Sequence, residues 1–133
     1  MLKVEHIGIA VKNLAFSDEL FSKLLNTKPY KHESVASEGV KTSFFMQGET
    51  KIELLEASSA DSPIAKFIDK KGEGIHHIAF AVKNIQEEMQ RLVNEGFVLL
   101  NQTPKIGADN KLVCFLHPKN TNGVLIELCQ DIN

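Results

Sequence analysis

The chain has 133 residues, enough for one ordinary domain with a real core, and its 43% hydrophobic and 24% charged content exclude disorder and a fibrous repeat. A formal charge of −2 with both signs interspersed leaves no basic face for nucleic acid and no polybasic membrane patch, which points to a small molecule or another protein as partner. The opening residues MLKVE lack the basic start and apolar run of a signal peptide, and no stretch reaches membrane-spanning length, so a cytoplasmic protein is expected.

In chain order, residues 3–11 read as an apolar strand ending before Asn13, a good helix N-cap. The helix that follows places Phe16, Leu20, Phe21, Leu24 and Leu25 on one face. Three strands are predicted next, at residues 29–34, 40–47 and 51–56, the last two joined by the turn residues QGET. Then DSPIAKFIDKKGEG reads as a linker helix, with Ser62 as N-cap, Pro63 at the first helical position, and Ile64, Phe67 and Ile68 as a short apolar stripe. A second strand at residues 75–82 precedes Asn84, which with Glu87 resembles a capping box, and a helix with Ile85, Met89, Leu92 and Val93 on one face. Strands at residues 97–102, 111–117 and 123–129 complete the chain, the last two joined by PKNTNG. Cys114 and Cys129 sit in apolar, strand-like segments, where reduced buried thiols are expected.

The chain therefore writes one β-α-β-β-β unit twice. VEHIGIAVKNL at Val4 is answered by GIHHIAFAVKNI at Gly74, with His77 under His6 at an offset of 77 − 6 = 71 residues. The ends also match: KIELLE at Lys51 answers VLIELC at Val124, aligning Glu53 with Glu127 at an offset of 127 − 53 = 74. The expected organisation is one domain over residues 1–133, with a first unit at 1–58, a linker at 59–74 and a second unit at 75–133.

Alternation along a strand gives His6 the same face as Gly8 and Ala10, and His77 the same face as Ala79 and Ala81, while the bulky residues between them face the helices. A histidine beside small residues, occurring twice, predicts a hollow kept for a ligand. Glu53 and Glu127 each project from an otherwise apolar strand, and a buried carboxylate must be paired or bound to metal. Either member of such a pair taken alone is ordinary, a core histidine or an edge glutamate. Four at matched positions make a ligand set for one divalent transition ion: His6, Glu53, His77 and Glu127. His76 points to the other face and is expected to be structural or to support a ligand.

A doubled βαβββ unit with His near the start and Glu near the end of each copy resembles the vicinal oxygen chelate, or glyoxalase, superfamily. The phrases TKIELLE, DSPIAKFI, GIHHIAFAV, KIGADN and FLHPKNTNGVLIEL extend the resemblance to the methylmalonyl-CoA epimerase family along nearly the whole chain. The resemblance implies an α+β fold, two tandem βαβββ units forming one eight-stranded open cup-shaped sheet with helices outside, and a metal at its base held by the four residues named. It also implies metal-dependent epimerisation of (2R)- and (2S)-methylmalonyl-CoA by proton transfer through an enolate, with Glu127 as one acid/base. Pseudo-symmetry suggests Glu53 for the other, ahead of Glu33 and Glu38. Some members carry Gln where Glu53 stands, and some have a Glu as second base at the position of Thr42, which cannot be that base here.

The metal expected is Co2+ or Mn2+, with Ni2+ and Zn2+ also compatible. The resemblance implies an acyl-CoA substrate; Lys105, Lys111, Lys119 and His117 read first as surface residues, and near the expected mouth of the cup they are candidates to meet its phosphates. Homodimers are common in the family, and neither nucleic acid nor membrane is implied. Glyoxalase I, which uses the same two-His, two-Glu set, stays open as the alternative, and a non-enzymatic drug-binding member stands behind it.

Overall fold

The computed structural model describes residues 1–132, in which eight strands and three α-helices alternate as the repeat requires. They form two compact units, one of His6–His76 and one of Met1–Glu5 with the chain from His77 onward.

The first unit contains β1 (Lys3–Ala10, from His6), α1 (Leu14–Leu25), β2 (Lys31–Val35), β3 (Val40–Gln47), β4 (Thr50–Ala57) and α2 (Pro63–Lys71). Its strands lie in the order β2-β3-β4-β1, with β4 parallel to β1 and the other pairs antiparallel. The second contains β5 (Gly74–Ala81, from His77), α3 (Ile85–Asn94), β6 (Lys105–Gly107), β7 (Lys111–Leu116) and β8 (Ile126–Asp131), ordered β5-β8-β7-β6, with β5 parallel to β8.

The caps act as expected. Asn13 Oδ1 accepts from Phe16 N at 2.9 Å, Ser62 Oγ from Ala65 N at 3.1 Å, and Asn84 Oδ1 from Glu87 N at 3.1 Å, each satisfying a backbone donor that a helix start leaves open. A second anchor repeats as well. Leu14 N donates to Glu56 Oε1 at 2.8 Å and Ile85 N to Gln130 Oε1 at 2.7 Å, so the last strand of each unit ties down the start of its helix.

Each helix seals one face. α1 covers Val11, Phe45 and Leu54 through Leu14, Phe21 and Leu25. α3 covers Val82, Cys114, Leu116 and Leu128 through Ile85, Met89 and Leu92. α2 packs on Ala10, Val40 and Leu55 through Ile64, Phe67 and Ile68. The apolar stripe expected on α1 divides in two: Phe21 and Leu25 turn inward, whereas Phe16, Leu20 and Leu24, one row round the helix, are exposed.

Two expected strands differ. Residues 97–102 form no strand, only a bridge between Leu99 and Leu116. The pairing with β7 starts, through Leu100 N to Phe115 O at 2.8 Å, and then the Asn101 carboxamide replaces the backbone, accepting from Phe115 N at 3.0 Å and donating to Val113 O at 3.2 Å. The ladder resumes past Pro104, which has no N–H to contribute, as the short β6. The strand expected at 123–129 instead begins at Ile126 and runs to Asp131, because Asn122 (φ 56°) and Gly123 (φ 82°) are both left-handed and hold a turn up to Val124.

Candidate active site

Register determines which side chains share a face with the histidines. In the first unit Glu53 stands between Gly8 on β1 and Phe44 on β3, and Lys31 lies across from Phe44. One step along, Ala10, Leu55, Thr42 and Glu33 form the next row. In the second unit Glu127 stands between Ala79 on β5 and Phe115 on β7, and Cys129, Val113 and Lys105 follow in the next row.

All four expected ligands are buried, and the structure joins them within each unit as pairs. His6 Nδ1 lies 3.2 Å from Glu53 Oε2, and His77 Nε2 lies 3.1 Å from Glu127 Oε1. The carboxylates thus do not project alone. Each meets the imidazole two residues back from its ladder partner, through opposite ring nitrogens in the two units. The His77 ring also stands edge-on to Phe115, centroids 6.0 Å apart.

The hollow expected along the small residues is partly filled. Ala10 is covered by Ile64 of α2 with Val40 and Leu55, and Ala79 packs against Val113, Cys129 and Phe115. Small side chains here admit neighbouring strands and a helix as well as a ligand.

Residues 5–115 match the sequence profile of the Glyoxalase/Bleomycin resistance protein/Dioxygenase superfamily. The chain belongs to that superfamily. It is 40% identical to the mitochondrial methylmalonyl-CoA epimerase of Dictyostelium discoideum over 95% of this chain and 76% of that protein. It is 39% identical to an ethylmalonyl-CoA/methylmalonyl-CoA epimerase of Cereibacter sphaeroides over 96% of this chain and 97% of that one. The crystal structure of the Mycobacterium tuberculosis methylmalonyl-CoA epimerase superimposes with a TM-score of 0.94 at 31% identity, covering 98% of this chain and 89% of that one. The eight strands and three helices are those of the superfamily's fold, as the resemblance implied.

In this superfamily member the residues expected at the substrate are dispersed: Lys105 on β6, Lys111 at the start of β7, and His117 and Lys119 at the turn after it. Lys105 is exposed, with Nζ 5.8 Å from the centre of the Phe115 ring, and so stands beside the ladder partner of Glu127. His117 caps the turn after β7, its Nδ1 accepting from Lys119 N at 3.0 Å, and Lys119 is exposed on that turn. Lys111 does not join them. It opens β7, about 20 Å of strand away from His117, and its ammonium is held between Asp131 and the buried Glu5, 3.7 Å from the latter. The His76 ring stands edge-on to Phe67, centroids 5.0 Å apart.

Phe44 and Phe115 are the site residues that sequence reasoning missed. Each lies directly across from a glutamate, and their spacing, 115 − 44 = 71, repeats that of the histidines, which was the available signal. Cys114 and Cys129 are both free and buried, as expected, but Cys129 shares the face of Glu127. Burial pushes the Cys114 thiol up to about 11, against smaller opposing effects of a backbone hydrogen bond at Asn101 and the charge of Lys105. Among the described residues no helix is long and apolar enough to cross a membrane.

Proposed function

We propose that this protein is an isomerase that epimerises methylmalonyl-CoA at carbon 2. The observation that carries the reading is the duplicated buried His–Glu pair, in a chain similar along nearly its whole length to methylmalonyl-CoA epimerases.

The donor set fits a divalent transition ion: two imidazole nitrogens and two carboxylates, each on a strand and each buried. His6, Glu53, His77 and Glu127 would hold it, Co2+ or Mn2+ being the preferred ions and Ni2+ or Zn2+ compatible. When bound, the ion supplies Lewis-acid stabilisation of the negative charge that develops on the thioester oxygen.

Proton transfer falls to the carboxylates. Epimerisation removes a proton from one side of carbon 2 and returns one to the other, which calls for two acid/base groups on opposite sides of the substrate. Glu127 serves one side and Glu53 the other. Phe115, across from Glu127 and only partly buried, is an apolar wall that limits water around the enolate, whereas Phe44, across from Glu53, is fully buried. Glu33 is the second reading for the second base, because it is the ladder partner of Thr42 and shares its face. Glu38 lies in a 3-10 turn outside the ladder and is the weaker choice. The reading includes a homodimer in a reducing cytoplasm, where Cys114 and Cys129 stay as thiols.

The test is α-proton exchange in deuterium oxide with each epimer of methylmalonyl-CoA. Glu127→Gln should slow exchange from one epimer by about 10²- to 10⁴-fold, and Glu53→Gln from the other. Near-wild-type exchange of both epimers in Glu53→Gln, with metal retained, removes Glu53 as second base, and loss of exchange in Glu33→Gln transfers the role. Conversion of the methylglyoxal–glutathione hemithioacetal to lactoylglutathione, with no exchange of the thioester, would replace the epimerase reading by glyoxalase I.

A further inference from the structure

The parallel register of β1 and β4 sets Lys51 directly across from His6, and the antiparallel register of β3 and β4 sets Met46 on its other side. Alternation along β4 gives Lys51 the face of Glu53, which lies one row on, about 7 Å along the strand. Lysine is ordinarily exposed, whereas Lys51 is half-buried. Because β1 and β4 lie about 4.8 Å apart, its four-carbon stem brings the ammonium within reach of the space in front of His6 and Glu53.

This cation is not repeated. The matched position in the second unit is Leu125 (125 − 51 = 74, the offset that relates Glu53 to Glu127), whose carbonyl accepts from Ile78 N at 3.1 Å, next to His77. Two other lysines on the glutamate faces do repeat. Lys31 stands 5.5 Å from the centre of the Phe44 ring, and Lys105, again 74 residues on, stands 5.8 Å from that of Phe115. Lys111 faces the same way in the second unit but lies two rows beyond Glu127, about 13 Å along the strand and away from His77. Lys51 is therefore the cation that distinguishes the first histidine's row from the second's.

We propose that Lys51 binds the free carboxylate of the methylmalonyl thioester and so determines which way round the substrate lies. The assignment rests on the epimerase reading. Carbon 2 bears a carboxylate on one side and a thioester on the other, and two His–Glu pairs of the same composition do not tell these apart. A positive charge in one unit without a counterpart in the other does. A charge-assisted bond to the carboxylate also selects against neutral acyl thioesters, which would leave the half-buried ammonium without that partner.

Propionyl-CoA, which lacks the carboxylate, separates this role from the chemistry. In calorimetric titrations of the metal-loaded protein, Lys51→Met, which keeps the apolar stem and removes the charge, should weaken methylmalonyl-CoA binding about tenfold or more and leave propionyl-CoA binding unchanged. Lys51→Arg should retain most of the preference for methylmalonyl-CoA. An equal loss for both thioesters in Lys51→Met, or a preference that Lys51→Met does not reduce, overturns the proposal. A carboxylate preference that depends on Lys51, in a protein whose wild type exchanges no α-proton, would support the binding role and defeat the epimerase reading alone.

Discussion

Nδ1 of His6 lies 3.2 Å from Oε2 of Glu53, and the repeat-matched pair meets through the other ring nitrogen, Nε2 of His77 lying 3.1 Å from Oε1 of Glu127. A buried carboxylate held against imidazole in each unit is ready to take a cation with little rearrangement. Removal of divalent ions with a chelator should therefore lower Tm, and readdition of Co2+ or Mn2+ should restore it, by about 4 kcal/mol of stabilisation at a thousandfold excess over Kd. In metal-free protein, His6→Ala should still destabilise, by about 1–3 kcal/mol, because Glu53 loses a buried partner. Thermal unfolding with and without metal reads both. A Tm indifferent to the chelator and to every added ion would rule out a resident metal.

Asn101 stands in for the backbone where the expected strand leaves β7. Its carboxamide bonds Val113 O, Phe115 N and Thr103 O, with the last at 2.8 Å. Asn101→Ala should cost about 1–3 kcal/mol in urea unfolding, since half-buried backbone groups lose their partners. Because Phe115 faces Glu127, activity should fall as well; a neutral substitution would mean that water replaces the carboxamide.

Gly39 turns the chain from β2 into β3 with φ +62°, and a Cβ there would come within 2.8 Å of Ser62 Cβ and 2.9 Å of Ser59 Oγ. Gly39→Ala combines a left-handed conformation with a steric clash at the start of α2. A loss of about 1–3 kcal/mol is expected, measured by denaturant midpoint. Gly48, with φ +64° and open space around it, should tolerate alanine better, at about 1 kcal/mol for the backbone alone.

Cys114 is held protonated by burial, with its ordinary value of 9.0 raised to about 11. A group whose folded pKa is raised binds more protons folded than unfolded, so its contribution to stability is complete below about pH 9 and is lost as pH rises towards 11. Two results are expected. Iodoacetamide should alkylate Cys114 in the native protein far more slowly than in urea at pH 8, and Cys114→Ser should flatten the fall in stability between pH 9 and 11. Rapid native labelling of Cys114 would contradict its burial.

The repeated unit was legible in the sequence because its determinants are local. Alternation around His6 and His77, the Asn13, Ser62 and Asn84 caps, and the matched Glu53 and Glu127 each depend on residues a few positions apart. Tertiary structure decided what depends on neighbours distant in the chain. The turn of α1 that leaves Phe16, Leu20 and Leu24 exposed is set by the β3–β4 surface beneath it, which periodicity does not specify. Asn101 reads as an ordinary polar residue until β7 lies beside it and supplies the groups it bonds. Lys111 reads as one more candidate for phosphate until β1 brings the buried Glu5 to its ammonium. Local pattern fixes which residues can bond or bury, whereas the partner that satisfies them is chosen only when strands far apart in sequence pair, and that choice assigned Lys111 to structure and Lys105 to the neighbourhood of Glu127.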